Sequence, residues 1–202
     1  MNWYEHDVAA AIKTRDKCPY TPETVFYGSS SFTLWAKLYE EFEEFKPVNL
    51  GFGGSTLAAC IQFFDKIVAP LHRPQRIILY AGDNDLGDGV DPNTVFKNYL
   101  VFKAKLRDHF DDIPFYYVSI KPSIERFDII DKIIKTNSLI KEHIKKQEGN
   151  DYFINIFNKM VDHRGLPQKR FLEADGLHLS HQGYEVWKEA IMNELMLTEQ
   201  VL

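Results

Sequence analysis

The sequence TVFYGSSS, residues 24–31, is a short apolar run that ends abruptly in a glycine and three serines. An apolar run of this length, with little polar alternation, is typical of a strand buried on both faces of a parallel sheet. Four similar runs follow along the chain, at residues 47–50, 76–81, 115–120 and 152–157. Helical patterns separate them, and strands that alternate with helices predict an α/β fold with a five-stranded parallel sheet.

Apolar residues spaced three and four apart predict the helices between and after these strands. The stripes consist of Leu34, Leu38 and Phe42; Leu57, Ile61, Phe64 and Val68; Val95, Tyr99, Phe102, Leu106 and Phe110; Ile130, Ile133, Ile140 and Ile144; and Tyr184, Trp187, Ile191 and Leu195. Asn137 lies within the fourth stripe, where we expect a core amide that is hydrogen-bonded to a neighbouring turn.

The composition excludes several classes of protein. Hydrophobic residues make up 45% of the chain, which is too many for a disordered protein. The net charge of −5, without a dense basic cluster, argues against nucleic-acid binding. No apolar run approaches the roughly 20 residues of a membrane span. The first residues also lack the basic and then apolar layout of a signal peptide, so a cytoplasmic location is expected.

The length of 202 residues predicts a single domain over residues 1–202, with residues 1–22 as an N-terminal extension that packs on it or flanks it. Cys18 and Cys60 stand alone, without a Cys-x-x-Cys motif. This pattern argues against a disulfide framework and against a cysteine-based zinc site.

Glycines and polar residues follow the predicted strands where a ligand would bind. In an open parallel sheet, ligands bind beyond the carboxyl ends of the strands. Residues 28–31, 51–55 and 82–85 follow the first three strands, and residues 175–178 lie in a long loop before the last helix. We therefore expect these four segments to line one pocket.

The four segments contain the residue types of serine-based acyl transfer. A serine becomes a nucleophile when a histidine accepts its proton, and an aspartate orients that histidine. Asp175 and His178 are three residues apart, so one local turn can pair them. The negative oxygen formed during attack needs preorganised donors, which the Gly54 backbone and the Asn84 side chain can supply.

Each segment also has a purely structural interpretation. A serine run after a strand is usually a helix cap, and a glycine cluster is usually a tight turn. Gly-x-Asn-Asp can form side-chain-to-backbone bonds in a turn, and Asp-x-x-His pairs are common on helices. The four segments together, in this order and at these strand ends, are far more specific than any one of them.

The chain resembles the SGNH hydrolases, also called GDSL-type esterases and lipases, from about residue 24 to residue 195. The resemblance is carried by Phe26-Tyr27-Gly28-Ser29-Ser30-Ser31, Asn49-Leu50-Gly51-Phe52-Gly53-Gly54-Ser55-Thr56, Gly82-Asp83-Asn84-Asp85 and Asp175-Gly176-Leu177-His178. It implies a flavodoxin-like three-layer α/β/α sandwich with strand order 2-1-3-4-5. It also implies a catalytic triad of Ser30, Asp175 and His178.

The same resemblance assigns the oxyanion hole to the Ser30 and Gly54 backbone and the Asn84 side chain, with no cofactor and no metal. Ser29 stands where the family has the aspartate of Gly-Asp-Ser, which leaves three adjacent serines; counting from Gly28 selects Ser30. The expected activity is that of a serine esterase acting on a small or short-acyl ester through an acyl-enzyme. The short-acyl preference follows from a compact chain without a long lid insertion.

Several alternatives stay open from the sequence. The chain could be a lysophospholipase or thioesterase of the same family, a non-catalytic nucleotide-binding module, or a catalytically inactive subunit. The expected partner is a small-molecule ester, and a homodimer is open. Arg126 has two interpretations: it binds an anionic group of the substrate or, more simply, its side chain is solvated. The aromatic residues beside the motifs are more typical of core than of pocket: Tyr27, Phe32, Trp35 and Phe52.

Overall fold

The computed structural model describes residues 4–199, which are built around one five-stranded, all-parallel sheet. Its strands are β1 (Thr24–Gly28), β2 (Pro47–Gly51), β3 (Arg76–Tyr80), β4 (Phe115–Val118) and β5 (Asp151–Ile154). Their order across the sheet is β2-β1-β3-β4-β5, as the resemblance implied. The order reverses at β1, so the carboxyl ends of β1 and β3 flank the crevice in which a ligand is expected.

Helices cover both faces of the sheet. They are α1 (Glu5–Asp16), α2 (Ser30–Thr33), α3 (Leu38–Glu41), α4 (Leu57–Ile67), α5 (Asp83–Gly87), α6 (Pro92–Phe110), α7 (Ile130–Lys146), α8 (Phe157–Met160) and α9 (His181–Glu199). None of these helices combines the length and the apolar composition that crossing a bilayer requires.

Two separate cores explain why the strands are continuously apolar. Val25 and Tyr27 of β1 point into one core, with α1, α4, α6 and α7. Phe26, between them in sequence, points into the other core with α9, whose Trp187 lies 4.6 Å from Tyr80 between ring centroids. Because neighbouring side chains on a strand face opposite ways, coverage of both faces of the sheet buries every position of β1, β3 and β4.

Two predicted elements differ from the structure. The predicted helical stripe from Leu34 to Phe42 does not form one helix: Leu34 follows the end of α2, only Leu38–Glu41 form α3, and Leu34 is 52% exposed. The break lets Trp35 turn inward, where its indole N–H donates to Glu41 Oε2 at 2.7 Å. The packing of one large aromatic ring therefore outweighs the helical spacing.

The last strand is the second difference, because it ends at Ile154 rather than at residue 157. The Ser119 hydroxyl accepts the N–H groups of Ile156 and Phe157 at 3.0 and 3.1 Å, which turns the chain into α8. Other predictions are confirmed. The stripe of α6 is fully buried, and Asn137 bonds both the N–H and the carbonyl of Ile120, two residues beyond the end of β4.

Candidate active site

A sharp turn joins β1 to α2 and depends on a glycine. Gly28 has a φ of +135°, and a Cβ there would lie 2.0 Å from the Tyr80 carbonyl oxygen, so no larger residue fits. The next amide, that of Ser29, donates to the same oxygen at 2.9 Å. The end of β1 is thus attached to the end of β3, and Ser30 begins α2 at the edge of the crevice.

Only one of the three adjacent serines is open to solvent. Ser29 and Ser31 are each 3% exposed, whereas Ser30 is half-buried. The Ser31 carbonyl accepts the Tyr184 hydroxyl at 3.0 Å, which holds α9 against this turn. Among residues 4–199, neither the hydroxyl nor the amide N–H of Ser30 makes a hydrogen bond, so the serine is not bonded to His178 here.

The glycine-rich turn after β2 lies beside the serine turn. Its Phe52 amide donates to the Gly28 carbonyl at 2.8 Å. Gly54 adopts a φ of +65°, a conformation that favours glycine. Its N–H has no acceptor within the part of the chain that the structure describes, whereas its carbonyl accepts the Tyr4 hydroxyl at 3.1 Å. An unpaired backbone N–H at this edge is a suitable donor to an oxyanion.

Helix α1 supports the glycine turn, a role that no sequence motif indicated. The Asp7 carboxylate accepts the Gly53 N–H at 2.9 Å. Together with the Tyr4 contact, this bond attaches the first helix to the turn that presents Gly54. Helix α1 thus contacts β2 and α4 and lies beside the candidate site.

Asn84 connects the third motif to the second. It lies in the first turn of α5, after Gly82 with a φ of +112°. Its side-chain Nδ2 donates to the Ser55 carbonyl at 3.0 Å, and its Oδ1 accepts from Arg126 Nη2 at 3.0 Å. The amide therefore lies next to Gly54, the residue before Ser55.

A buried charge cluster of Asp83, Lys121 and Arg126 lies beside Asn84. Asp83 pairs with Lys121 Nζ at 2.6 Å and with Arg126 Nη1 at 2.5 Å. Burial alone would raise the pKa of Asp83, but the two cations outweigh it and hold that pKa below its usual value. The interpretation of Arg126 as a solvated side chain was wrong, because its side chain is only 18% exposed and both terminal nitrogens contact protein. A contact between Arg126 and an anionic substrate group stays a prediction.

The Asp175–His178 turn forms a preorganised acid–histidine pair. One carboxylate oxygen of Asp175 accepts the N–H groups of Leu177 and His178 at 2.9 and 3.0 Å. The other accepts a hydrogen bond from His178 Nδ1 at 2.6 Å, and Nε2 has no hydrogen-bond partner among residues 4–199. The His178 hydrogen bond is the largest cause that lowers the pKa of Asp175, to about 2, so the carboxylate is charged at neutral pH.

The loop that carries this pair is also attached to the charge cluster. The Gly176 carbonyl accepts the N–H groups of Ile124 and Glu125, at 2.9 and 3.1 Å. These residues directly precede Arg126 in the chain, so a continuous set of bonds runs from the Asp175–His178 turn to Asn84. The four sequence motifs are therefore connected to one another through the protein.

A cleft of about 370 Å³ opens beside His178. Its apolar lining consists of Leu34, Trp35, Ala36, Leu179 and Tyr184, and its polar lining includes Lys37, Glu41, Glu173 and His181. Of the four aromatic residues beside the motifs, Trp35 reaches this cleft, although it is only 3% exposed. The other three are fully buried core residues, as predicted.

Asp85 is a second buried carboxylate, and its pKa is shifted in the opposite direction to that of Asp83. It accepts the N–H of Leu57, the first residue of α4, at 2.9 Å. Burial raises its pKa from 3.8 to about 6. The folded protein therefore holds this proton more tightly than the unfolded chain, so the stabilising contribution of protonated Asp85 is present below pH 4 and is lost as the pH rises through about 6.

Asp85→Asn should remove this pH dependence while keeping an acceptor for the Leu57 N–H. From pH 4 to pH 7, the free energy of unfolding of the variant should rise relative to wild type by roughly 2 kcal/mol. Urea unfolding at a series of pH values measures this difference, with Asp128→Asn, at an exposed position, as the control. A difference that stays constant across this range would contradict the assignment.

Comparisons with known proteins agree with this architecture. The model of the GDSL-like Lipase/Acylhydrolase family matches residues 20–186. A provisionally assigned acylhydrolase from Bacteroides fragilis superposes with a TM-score of 0.84 at 19% identity, covering 98% of this chain and 99% of that one. A GDSL-like lipase from Bacteroides thetaiotaomicron superposes with a TM-score of 0.77 at 21% identity, covering 99% and 98%. No curated protein sequence matches the chain.

Proposed function

Because the chain belongs to the GDSL-like Lipase/Acylhydrolase family, we propose that it is a serine esterase that hydrolyses a small or short-acyl ester. The observation that carries the proposal is the Asp175–His178 pair, with its 2.6 Å bond to Nδ1 and its carboxylate fixed by two backbone amides. This arrangement holds the imidazole in the tautomer whose Nε2 can accept a proton. Ser30, the most open of the three serines, is the proposed nucleophile.

The reaction proceeds in two halves. Ser30 Oγ bonds to the ester carbonyl carbon as its proton passes to His178 Nε2. The Ser30 N–H, the Gly54 N–H and Asn84 Nδ2 stabilise the oxyanion. His178 then protonates the departing alcohol, and the C–O bond to the alcohol breaks to leave an acyl-enzyme. A water molecule then bonds to the acyl carbon as its proton passes to His178 Nε2. The bond from that carbon to Ser30 Oγ breaks as His178 returns the proton to Oγ, which releases the acid and restores Ser30.

The size of the cleft beside His178 supports a small substrate, and His178 is the one proposed catalytic residue among the residues that line it. Its volume of about 370 Å³ lies near the lower end of the range for small-molecule sites, roughly 300–1,000 Å³. A lysophospholipase or thioesterase would use the same residues on a longer acyl chain or on a thioester. A nucleotide-binding module is disfavoured, because the Asp7 carboxylate occupies the Gly53 N–H that a phosphate would need.

Labelling with a fluorophosphonate tests the proposal, because this probe bonds covalently to an activated serine. Wild type and Ser31→Ala should be labelled, whereas Ser30→Ala should not. Turnover of p-nitrophenyl acetate, butyrate and octanoate then tests the acyl preference, and kcat/KM should fall toward octanoate. Labelling that persists in Ser30→Ala would contradict the choice of nucleophile, and a rise toward octanoate would contradict the short-acyl preference.

A further inference from the structure

We propose that Arg126 is a positioning residue that fixes the Asn84 amide as an oxyanion donor and places a buried positive charge behind it. The inference rests on the proposed esterase function. It concerns a residue that lies outside the four sequence motifs. It follows from the hydrogen-bond partners of the Asn84 amide, from the partners of the Arg126 guanidinium and from the charges around both groups.

The two partners of Asn84 allow only one orientation of its amide. Arginine has donors and no acceptor, so the Asn84 atom that Arg126 Nη2 contacts at 3.0 Å must be the carbonyl oxygen. The Ser55 carbonyl oxygen is an acceptor only, so the atom that it contacts at 3.0 Å must be the nitrogen. One N–H of Asn84 is thereby occupied by Ser55, and the other has no acceptor among residues 4–199. Arg126 thus prevents the amide flip that would present an oxygen to the oxyanion.

Arg126 is itself held in a fixed position. Its Nη1 pairs with Asp83 Oδ1 at 2.5 Å, and Asp83 Oδ2 binds Lys121 Nζ at 2.6 Å. The guanidinium also lies against α5 at Gly87, where a Cβ would come within 2.8 Å of Arg126 Cζ. The absence of a side chain at position 87 therefore leaves the space that Arg126 occupies.

The charges of this cluster favour the transition state. Two cations and one carboxylate leave a net charge of +1, with the side chains of Asp83 and Lys121 5% and 2% exposed. Charges shielded from water act more strongly than exposed ones. The guanidinium bond to Asn84 Oδ1 also polarises the amide, which makes its N–H a stronger donor as negative charge develops on the substrate.

A double-mutant cycle tests whether Arg126 acts through Asn84. Asn84→Ala should lower kcat for p-nitrophenyl acetate by about 10²- to 10³-fold with little change in KM. Arg126→Met, which keeps the length but removes the charge and donors, should lower kcat by about 10- to 100-fold. The double variant should be no slower than Asn84→Ala alone, because the amide that Arg126 positions is then already gone. The kcat of Arg126→Lys should lie between those of Arg126→Met and wild type. Its ammonium group keeps the positive charge but cannot reproduce the two guanidinium nitrogens that contact Asp83 and Asn84.

The control is Arg76→Met. Arg76 is also a buried arginine with a carboxylate partner, Glu199 at 2.8 Å, but it begins β3 at the opposite end of the sheet. The Arg76→Met substitution should lower the unfolding temperature and leave kcat unchanged. Where Arg126→Met fails to fold, Gly87→Ala provides a second route, because its methyl group displaces the guanidinium and should likewise lower kcat.

The outcomes separate this inference from the proposed function. Turnover at the wild-type rate in Ser29→Ala, Ser30→Ala and Ser31→Ala alike would overturn the serine esterase proposal, and the inference with it. If Ser30→Ala is inactive but the losses of Arg126→Met and Asn84→Ala multiply, only the inference is overturned. A change confined to KM, or a loss of kcat that Arg76→Met shares, would also overturn it.

Discussion

Ser30→Ala should lower kcat for p-nitrophenyl acetate by about 10⁴- to 10⁶-fold, because no other group on the proposed pathway can form the acyl-enzyme. Ser29→Ala and Ser31→Ala are matched controls, since they remove the same atom from the two adjacent positions. Both of those side chains are buried, so we expect turnover within about tenfold of wild type.

Steady-state kinetics measure these rates, and mass spectrometry of a fluorophosphonate adduct identifies the labelled residue. Thermal unfolding of each variant shows whether a lost rate reflects lost structure. If Ser29→Ala were the inactive variant and Ser30→Ala remained active, the nucleophile would be one position earlier. The structural reason for Ser30, its greater exposure, would then be insufficient.

Asp175→Asn should lower kcat by about 10⁴-fold, through the tautomer of His178. In the structure, Oδ1 of Asp175 faces two backbone donors and Oδ2 faces His178 Nδ1. An asparagine at position 175 must keep its oxygen toward the backbone donors, so its NH₂ group faces Nδ1. That contact makes Nδ1 the acceptor and places the imidazole proton on Nε2, where it blocks proton transfer from Ser30.

Asp162→Asn is the control for this variant, because Asp162 forms a similar local turn. Its Oδ1 accepts the N–H groups of Arg164 and Leu166 at 2.8 and 3.0 Å, but its other oxygen faces arginine and no histidine. We expect near-wild-type kcat for Asp162→Asn. A similar loss in both variants would show that the effect comes from the turn rather than from the tautomer.

The sequence predicted the sheet well because its central strands β1, β3 and β4 are buried on both faces. That burial requires the continuous apolar runs that mark β1 and β3. The sequence also predicted the Asp175–His178 pair, because these two residues are close in the chain and one local turn brings them together. Leu34 shows the limit, because its spacing fits a helix while the packing of Trp35 breaks that helix.

The parts that escaped prediction depend on distant partners. Arg126 bonds Asn84 across 42 residues, and Asp7 bonds Gly53 across 46. Nothing in the neighbouring sequence of either residue specifies these partners, since an isolated arginine or aspartate is compatible with a solvated surface. Helix α1 was not predicted from the sequence either. Only Val8 and Ala11 of its residues are buried, so its apolar stripe is short.

The contacts of α1 with the glycine turn have a consequence for how activity would respond to denaturant. Helices with few buried residues open more readily than the sheet beneath them. On the proposed mechanism, release of α1 frees the Gly53 and Gly54 peptides while β1 and β3 are still paired. Catalysis would then disappear through local opening of a single helix, at denaturant concentrations that leave the rest of the molecule folded.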